Sequence, residues 1–171
     1  RYDGSSRFSD GNRWGFFPSA AFAWRIKDES FLKNVNAISD LKLRLGWGKT
    51  GQQDTGKEYY TLTYKKSTSN HHLYPIGGIK NNPGTLFIPL AYNDNLTWET
   101  TTTWNVGIDY GMFDQRLTLN LDAYYRKTTD LLSTTTISAG QNFDNALLMN
   151  AGTLENKGFE VAITGRPIQT K

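Results

Sequence analysis

The residues that could do chemistry in this chain fall into two groups. One is a set of charged and amide side chains at alternate positions: Lys42 and Arg44, Asp109, then Asn120, Asp122 and Arg126, and finally Glu160. A period of 2 puts such residues on one face of a strand, where they can line a hydrated surface. The other group lies in polar connections. His71 and His72 are adjacent, so along an extended chain they point opposite ways. A metal site there would need ligands from elsewhere, and a solvated loop pair is the simpler reading. Asn93, Asp94 and Asn95 lack the alternating ligands and distal Glu of a calcium loop, and turn chemistry accounts for them better. The glycines at 46, 48, 51, 77, 78, 107 and 111 form no phosphate-binding fingerprint; on strands they relieve crowding or admit close backbone approach. No Ser–His pair is placed on one strand face. The chain has no cysteine, which excludes a thiolate nucleophile, a disulfide framework and a Cys-ligated metal. No catalytic residue, metal ligand or cofactor is therefore expected. Aromatic residues in the connections (Tyr59, Tyr60, Tyr64, Tyr74, Phe87, Tyr92, Phe143) could stack on sugar rings, cover a peptide, or fold over one another.

The elements that must position the charged set show the same alternation. From Trp14 to Ile26 the even positions are Trp14, Phe16, Pro18, Ala20, Phe22, Trp24 and Ile26, while the odd ones include Gly15, Ser19, Ala21 and Ala23. Residues 40–49 set Leu41, Leu43, Leu45 and Trp47 against Lys42, Arg44, Gly46 and Gly48. In 102–112, Trp104, Val106, Ile108, Tyr110 and Met112 oppose Asn105, Gly107, Asp109 and Gly111. Residues 116–127 set Leu117, Leu119, Leu121, Ala123 and Tyr125 against the polar set, and 157–166 set Phe159, Val161 and Ile163 against Glu160 and Thr164. These patterns predict five long strands. A weaker strand is expected over 59–64, and a couple of helical turns over 28–35. Pro18 has no ladder donor, so an irregular pairing is expected there.

With 171 residues, a net charge of +3 and aromatics at 13%, the chain shows no clustered basic footprint for nucleic acid. No run approaches the roughly 18 apolar residues of a membrane helix, which leaves a barrel open. Connection lengths are unequal: residues 113–115 make a tight turn, whereas roughly fifty residues separate Lys49 from Thr102 and about thirty separate Lys127 from Lys157, far beyond ordinary hairpin loops. Transmembrane barrels pair short periplasmic turns with long outer loops. The 27–40 and 113–115 connections then fall on one side and the long ones on the other. The fold expected is all-β, an antiparallel meander. On this scheme Trp14, Trp24, Trp47, Trp104 and Tyr110 are candidates for a lipid-facing girdle. Arg44, Asp109, Asn120, Asp122, Arg126 and Glu160 are candidates for a lumen, being too polar for a sandwich core.

Several stretches carry a resemblance: RYDGSSRF at 1–8, GFFPS at 15–19 with Trp24 and Arg25, ISDLKLR at 38–44, GKTG at 48–51, NLTWE at 95–99, WNVGID at 104–109, YYRKTTDL at 124–131 and GTLENKGFE at 152–160. Each is weak alone, but the ordered set, spread over nearly the whole length, is specific. It resembles the C-terminal half of the barrel in SusC/RagA-type TonB-dependent outer-membrane transporters. The resemblance implies a 22-stranded barrel in a Gram-negative outer membrane, with a plug and energy from the TonB complex. It further implies a SusD-like surface lipoprotein as partner, glycan or peptide fragments as cargo, and residues 1–171 as a barrel piece without its plug. No cargo-contacting residue is carried over.

Two other readings make different demands. A soluble carbohydrate-binding β module requires Trp14, Phe16, Phe22 and Trp24 buried against a second sheet. An outer-membrane enzyme or passive porin requires a Ser–His pair on a strand face or an unplugged lumen.

Overall fold

A computed structural model of the chain describes residues 1–56, 59–66, 74–75, 86–138 and 140–166. His71, His72, Gly77 and Gly78 fall outside the described residues. Twelve strands run in chain order: β1 Tyr2–Gly4, β2 Trp14–Phe16, β3 Ser19–Arg25, β4 Ile38–Gln52, β5 Tyr64–Lys66, β6 Tyr74–Pro75, β7 Leu86–Pro89, β8 Glu99–Met112, β9 Leu117–Thr129, β10 Leu132–Thr136, β11 Ala146–Asn150 and β12 Thr153–Gly165. Five of them make one sheet in the order β12-β9-β8-β4-β3. Every pairing in it is antiparallel, so the sheet is the expected meander.

The long strands are longer than their alternating cores because the ladder continues into polar sequence. β8 begins at Glu99, and the threonines that follow pair with Thr50, Gly51, Thr128 and Thr129. β-branched threonine suits a pleated surface whichever solvent it meets. The register holds one apolar face from strand to strand. Ala20, Trp47, Trp104, Tyr125 and Lys157 form one transverse row, and Phe22, Leu45, Val106, Ala123 and Phe159 form the next. Trp24, Leu43, Ile108, Leu121 and Val161 follow, then Leu41, Tyr110, Leu119 and Ile163. No second sheet covers this face among the described residues: Phe22 is 55% exposed and Phe159 82%. A sandwich core would have buried them.

The segment from Trp14 to Ile26 is two strands rather than one. The ladder breaks at Phe17 and Pro18, where proline has no N–H to give. Trp14 consequently belongs to β2, which pairs with β1, and its ring stacks on Tyr2 at 5.1 Å. The break also turns Phe17 into a buried cluster with Phe8, Leu96 and Trp98, the only apolar core among the described residues. A Cβ at Gly51 would overlap the Phe17 ring, so that backbone approach requires glycine.

No α-helix forms over 28–35. A single 3₁₀ turn, Ile26–Asp28, leads into irregular turns. Eight residues are too few to nucleate a helix unaided. The Lys27 ammonium gathers the local carbonyls instead, donating to Leu32 O at 3.0 Å and Val35 O at 2.8 Å. The tight turn between β8 and β9 places Phe113, Asp114 and Gln115 all at positive φ, between 53° and 66°. The region expected as a weak strand at 59–64 is turn and bend up to Tyr64, where β5 begins.

The described parts of the long connections form strands of their own. One contains the sheet β5-β7-β6 and the other the hairpin β10–β11. Amide side chains tie them together. Asn150 holds both backbone groups of Thr97, at 2.9 and 2.8 Å, and Asn93 donates to Leu148 O at 3.1 Å. Asn93 also accepts the Asn95 N–H at 3.1 Å, the Asx turn expected of that tripeptide. Arg7 pairs with Asp54, and with the Gly56 N–H it holds the Asp54 carboxyl below the usual carboxylate range. Leu96→Ala is expected to cost about 2–5 kcal/mol of local stability. Limited proteolysis should then accelerate at Arg7 and Arg13 while the five-stranded sheet stays resistant.

Candidate functional site: the polar face of the sheet

The face opposite the apolar rows collects most of the charged residues singled out in the sequence. Arg44 stands on β4, Asp109 on β8, and Asn120 and Asp122 on β9. Their side chains meet. Arg44 donates through Nε to Asp109 Oδ2 at 3.0 Å and through Nη2 to Asp109 Oδ1 at 2.9 Å, a two-pronged contact. The same Nη2 reaches Asp122 Oδ2 at 3.0 Å. Asn120 donates to Asp109 Oδ1 at 2.9 Å. One guanidinium thus spans three strands, from β4 across β8 to β9.

The crossing depends on Gly107, which lies between Arg44 and Asp122 in the register. A Cβ there would sit 2.5 Å from Asp122 Oδ1 and 2.7 Å from Arg44 Cζ. Any other residue would push the Asp122 carboxylate and the Arg44 guanidinium out of these positions. The planar fork of arginine suits this site, since it can address two carboxylates in one plane. With both carboxylates engaged, the network has no free base and no nucleophile. It can hold geometry and present charge, and it has nothing with which to break a bond.

Arg126 and Glu160 lie on the same face outside that network. Glu160 is opposite Asp122 on the edge strand β12 and is exposed. Arg126 stands two alternating rows further toward the long connections. There it lines a mixed concavity with Thr50, Thr101, Thr103, Thr128, Leu154 and Asn156. Thr128 is buried, and its hydroxyl lies 2.8 Å from that of Thr101. A concavity of hydroxyl, amide and guanidinium groups offers hydrogen bonds to a hydrophilic solute. Sequence reasoning missed the threonines because the run 100–103 carries no apolar alternation. The signal lay instead in the parity of 101 and 103 relative to Asn105 and Gly107.

Of the girdle candidates, Trp47 and Trp104 are direct cross-strand partners, and Trp104 lies 5.5 Å from the Tyr125 ring. Tyr110 lies one row short of Met112 and Leu117, the same-face pair at the tight turn. Trp24, at the end of β3, donates through its indole N–H to Glu29 at 2.9 Å. Trp14 is the exception, standing beyond the five-stranded sheet on the side of the long connections. No group of three or more His, Cys, Asp or Glu residues that could hold a metal occurs among the described residues.

Comparison with known proteins gives one answer. The family model described as TonB dependent receptor-like, beta-barrel, matches residues 1–169. The chain is 50% identical over 171 residues to the TonB-dependent receptor SusC of Bacteroides thetaiotaomicron, covering all of this chain and 17% of that protein. It is 40% identical over 172 residues to the TonB-dependent receptor P26 of Formosa agariphila, covering 99% of this chain and 16% of the relative. Among solved structures, the RagAB peptide importer in its closed-closed state superposes with a TM-score of 0.79 at 28% identity, over 99% of this chain and 18% of that one. The open-open state gives 0.75 at 26% identity, over 97% and 17%. The chain therefore spans about a sixth of the length of the relatives it matches.

Arg44→Gln is expected to cost about 1–3 kcal/mol, because hydrogen bonds to charged groups are lost and two carboxylates are left facing each other. Arg44→Lys should recover only part of this, having charge without the fork. Adding Asp122→Asn to Arg44→Gln should recover more. Thermal unfolding of the three variants measures the order; equal losses would show that the pairing is inert.

Proposed function

Because the chain belongs to the β-barrel family of TonB-dependent receptors, we propose that it forms part of the wall of an outer-membrane importer. TonB-dependent receptors are a transport family and not an enzyme family, and this sheet is a segment of such a barrel, open on both sides. In the proposed whole, the other barrel strands pair with the free edges of β3 and β12. Backbone groups in hydrocarbon have no other partner, so an open edge there is untenable. A 22-stranded closure, a plug inside it and an outer-membrane location in a Gram-negative cell are parts of the same proposal.

One observation carries the reading: a single register gathers apolar rows, interrupted only by Lys157 at the β12 edge, on one face and the Arg44 network with the Arg126 concavity on the other. The apolar face meets lipid, with Trp24, Trp47, Trp104 and Tyr110 in its girdles. From Trp104 to Met112 the strand covers about 26 Å at roughly 3.3 Å per residue. A tilt of about 40° leaves roughly 20 Å of height, near the apolar band of such barrels. The polar face lines the lumen, where Arg44, Asp109, Asn120, Asp122, Arg126 and Glu160 border the plug and the solute path. The long connections, braced by Asn93 and Asn150, form the outer mouth.

The partners proposed are a SusD-like lipoprotein over that mouth, the TonB complex acting through the plug, and glycan or peptide cargo. SusC and the RagAB importer support the lipoprotein and the cargo class by kinship. The hydroxyl-lined concavity supports a hydrophilic solute and does not choose between glycan and peptide. Neither nucleic acid nor a cofactor has a place in the scheme.

Membrane fractionation of the parent protein tests the location: it should be in the outer membrane and shift on gels only after boiling. Growth of a deletion strain on defined glycan or peptide sources identifies the cargo, and a strain that grows normally on all of them would remove the importer role. Phe22→Arg, in the apolar row beside Leu45, should block assembly, since Arg near the midplane costs about 2–4 kcal/mol. Glu160→Gln, on the polar face and outside the Arg44 network, should assemble normally. Equal effects from the two would mean that the faces are reversed.

A further inference from the structure

The apolar face changes chemistry one row beyond Trp47, Trp104 and Tyr125. The next residues facing the same way, toward the long connections, are Lys49, Thr102, Lys127 and Glu155, which pair directly across four strands. Lys157 stands beside Tyr125 in the aromatic row itself. Three ammonium groups thus share this band with a single carboxylate. Glu155 is already occupied, lying 3.0 Å from Lys127 Nζ and accepting from the Tyr125 hydroxyl. Lys49 and Lys157 form no ion pair among the described residues, and Lys127 keeps donors to spare.

Lys49, Thr102 and Lys127 are half-buried, while Glu155 and Lys157 are exposed. Phe17 and Trp98 crowd the face of Gly51, two residues beyond Lys49 on the same side of β4. These two rings make an aromatic shelf on the loop side of Lys49, and the Trp47–Trp104–Tyr125 row is the next row on the other side. Long lysine stems can lie along those rings while their heads stay at a polar level. A net positive strip at that height, with apolar rows running down from it, matches an amphiphile having an anionic head and several acyl chains.

We propose that Lys49, Thr102, Lys127 and Lys157 bind the phosphorylated headgroup of an outer-leaflet glycolipid, whose acyl chains lie over Phe22, Leu45, Val106 and Phe159. This rests on the membrane reading given above. The lysines supply charge, the Thr102 hydroxyl donates to a phosphate oxygen, and the Phe17–Trp98 shelf limits how far the headgroup can rise.

The test uses the complete transporter in detergent, given either bisphosphorylated lipid A or the same lipid with its phosphates removed, with bound lipid counted by native mass spectrometry. Wild type should retain the bisphosphorylated form and lose the dephosphorylated one. Lys49→Gln with Lys127→Gln should lower retention roughly 10- to 30-fold, given about 1 kcal/mol for each basic residue near an anionic surface. Lys33→Gln, at the opposite end of the sheet, should change nothing. Equal retention by wild type and the double variant, equal binding of the two lipids, or displacement by inorganic phosphate as readily as by the acylated form would each overturn the site. If the double variant fails to assemble, Lys49→Gln alone, which breaks no ion pair, should still lower retention roughly fivefold, and an unchanged value would overturn the site equally. A wild-type barrel without the heat-dependent gel shift would instead overturn the membrane reading.

Discussion

A strand that crosses hydrocarbon has no water to satisfy its backbone, so each N–H and C=O must find a partner on a neighbouring strand. The architecture follows from that demand. It requires long strands, antiparallel neighbours and a register kept without slips, and β4, β8, β9 and β12 meet it with 13 to 15 residues each. The one irregularity between β4 and β8, at Ile38 and Asp40, sits at the end of the ladder where it disturbs no interior row. Side chains then sort themselves by parity. Once the backbone is fixed, a leucine at an odd position of β4 and a lysine at an even one are committed to opposite solvents.

The consequences divide the molecule by height. In the middle, cohesion comes from the ladder and from the Arg44 network, because there is no core in the usual sense. Beyond the ladder, the chain returns to the ordinary logic of a water-soluble protein. Phe8, Phe17, Leu96 and Trp98 are buried together, and asparagine amides stitch the connections. Pro18 is the hinge between these regimes. By ending the ladder early it releases Phe17 from the sheet and lets it join the small core beneath the long connections.

The strands, their faces and their antiparallel order were legible in the sequence because a period of 2 survives without help from distant residues. Alternation showed that Arg44, Asp109 and Asp122 share a face. It could not show that the guanidinium crosses β8, since that depends on which glycine lies opposite, and register is not written locally. The loop core was hidden for a different reason. Phe8, Phe17, Leu96 and Trp98 come from three separated segments with no periodicity, and only folding brings them together. The helix expected over 28–35 failed because so short a segment does not nucleate unaided, and the Lys27 ammonium takes up several of its carbonyls. The hairpin β10–β11 went unseen since its strands, LSTTT and ALLMN, carry no alternation and run only five residues a side.

The arch of Arg44 over Gly107 has a consequence for how the wall is assembled. Its partners are 65 and 78 residues away along the chain, so it closes only after β4, β8 and β9 have all found one another. A slip of one residue in β4 would turn the guanidinium to the apolar face of the sheet and leave two aspartates unpaired on the polar one. The correct alignment alone satisfies all three charges at once. The arch therefore acts as a proofreading device, converting an error of alignment, which backbone hydrogen bonds alone would tolerate, into one of misplaced charge.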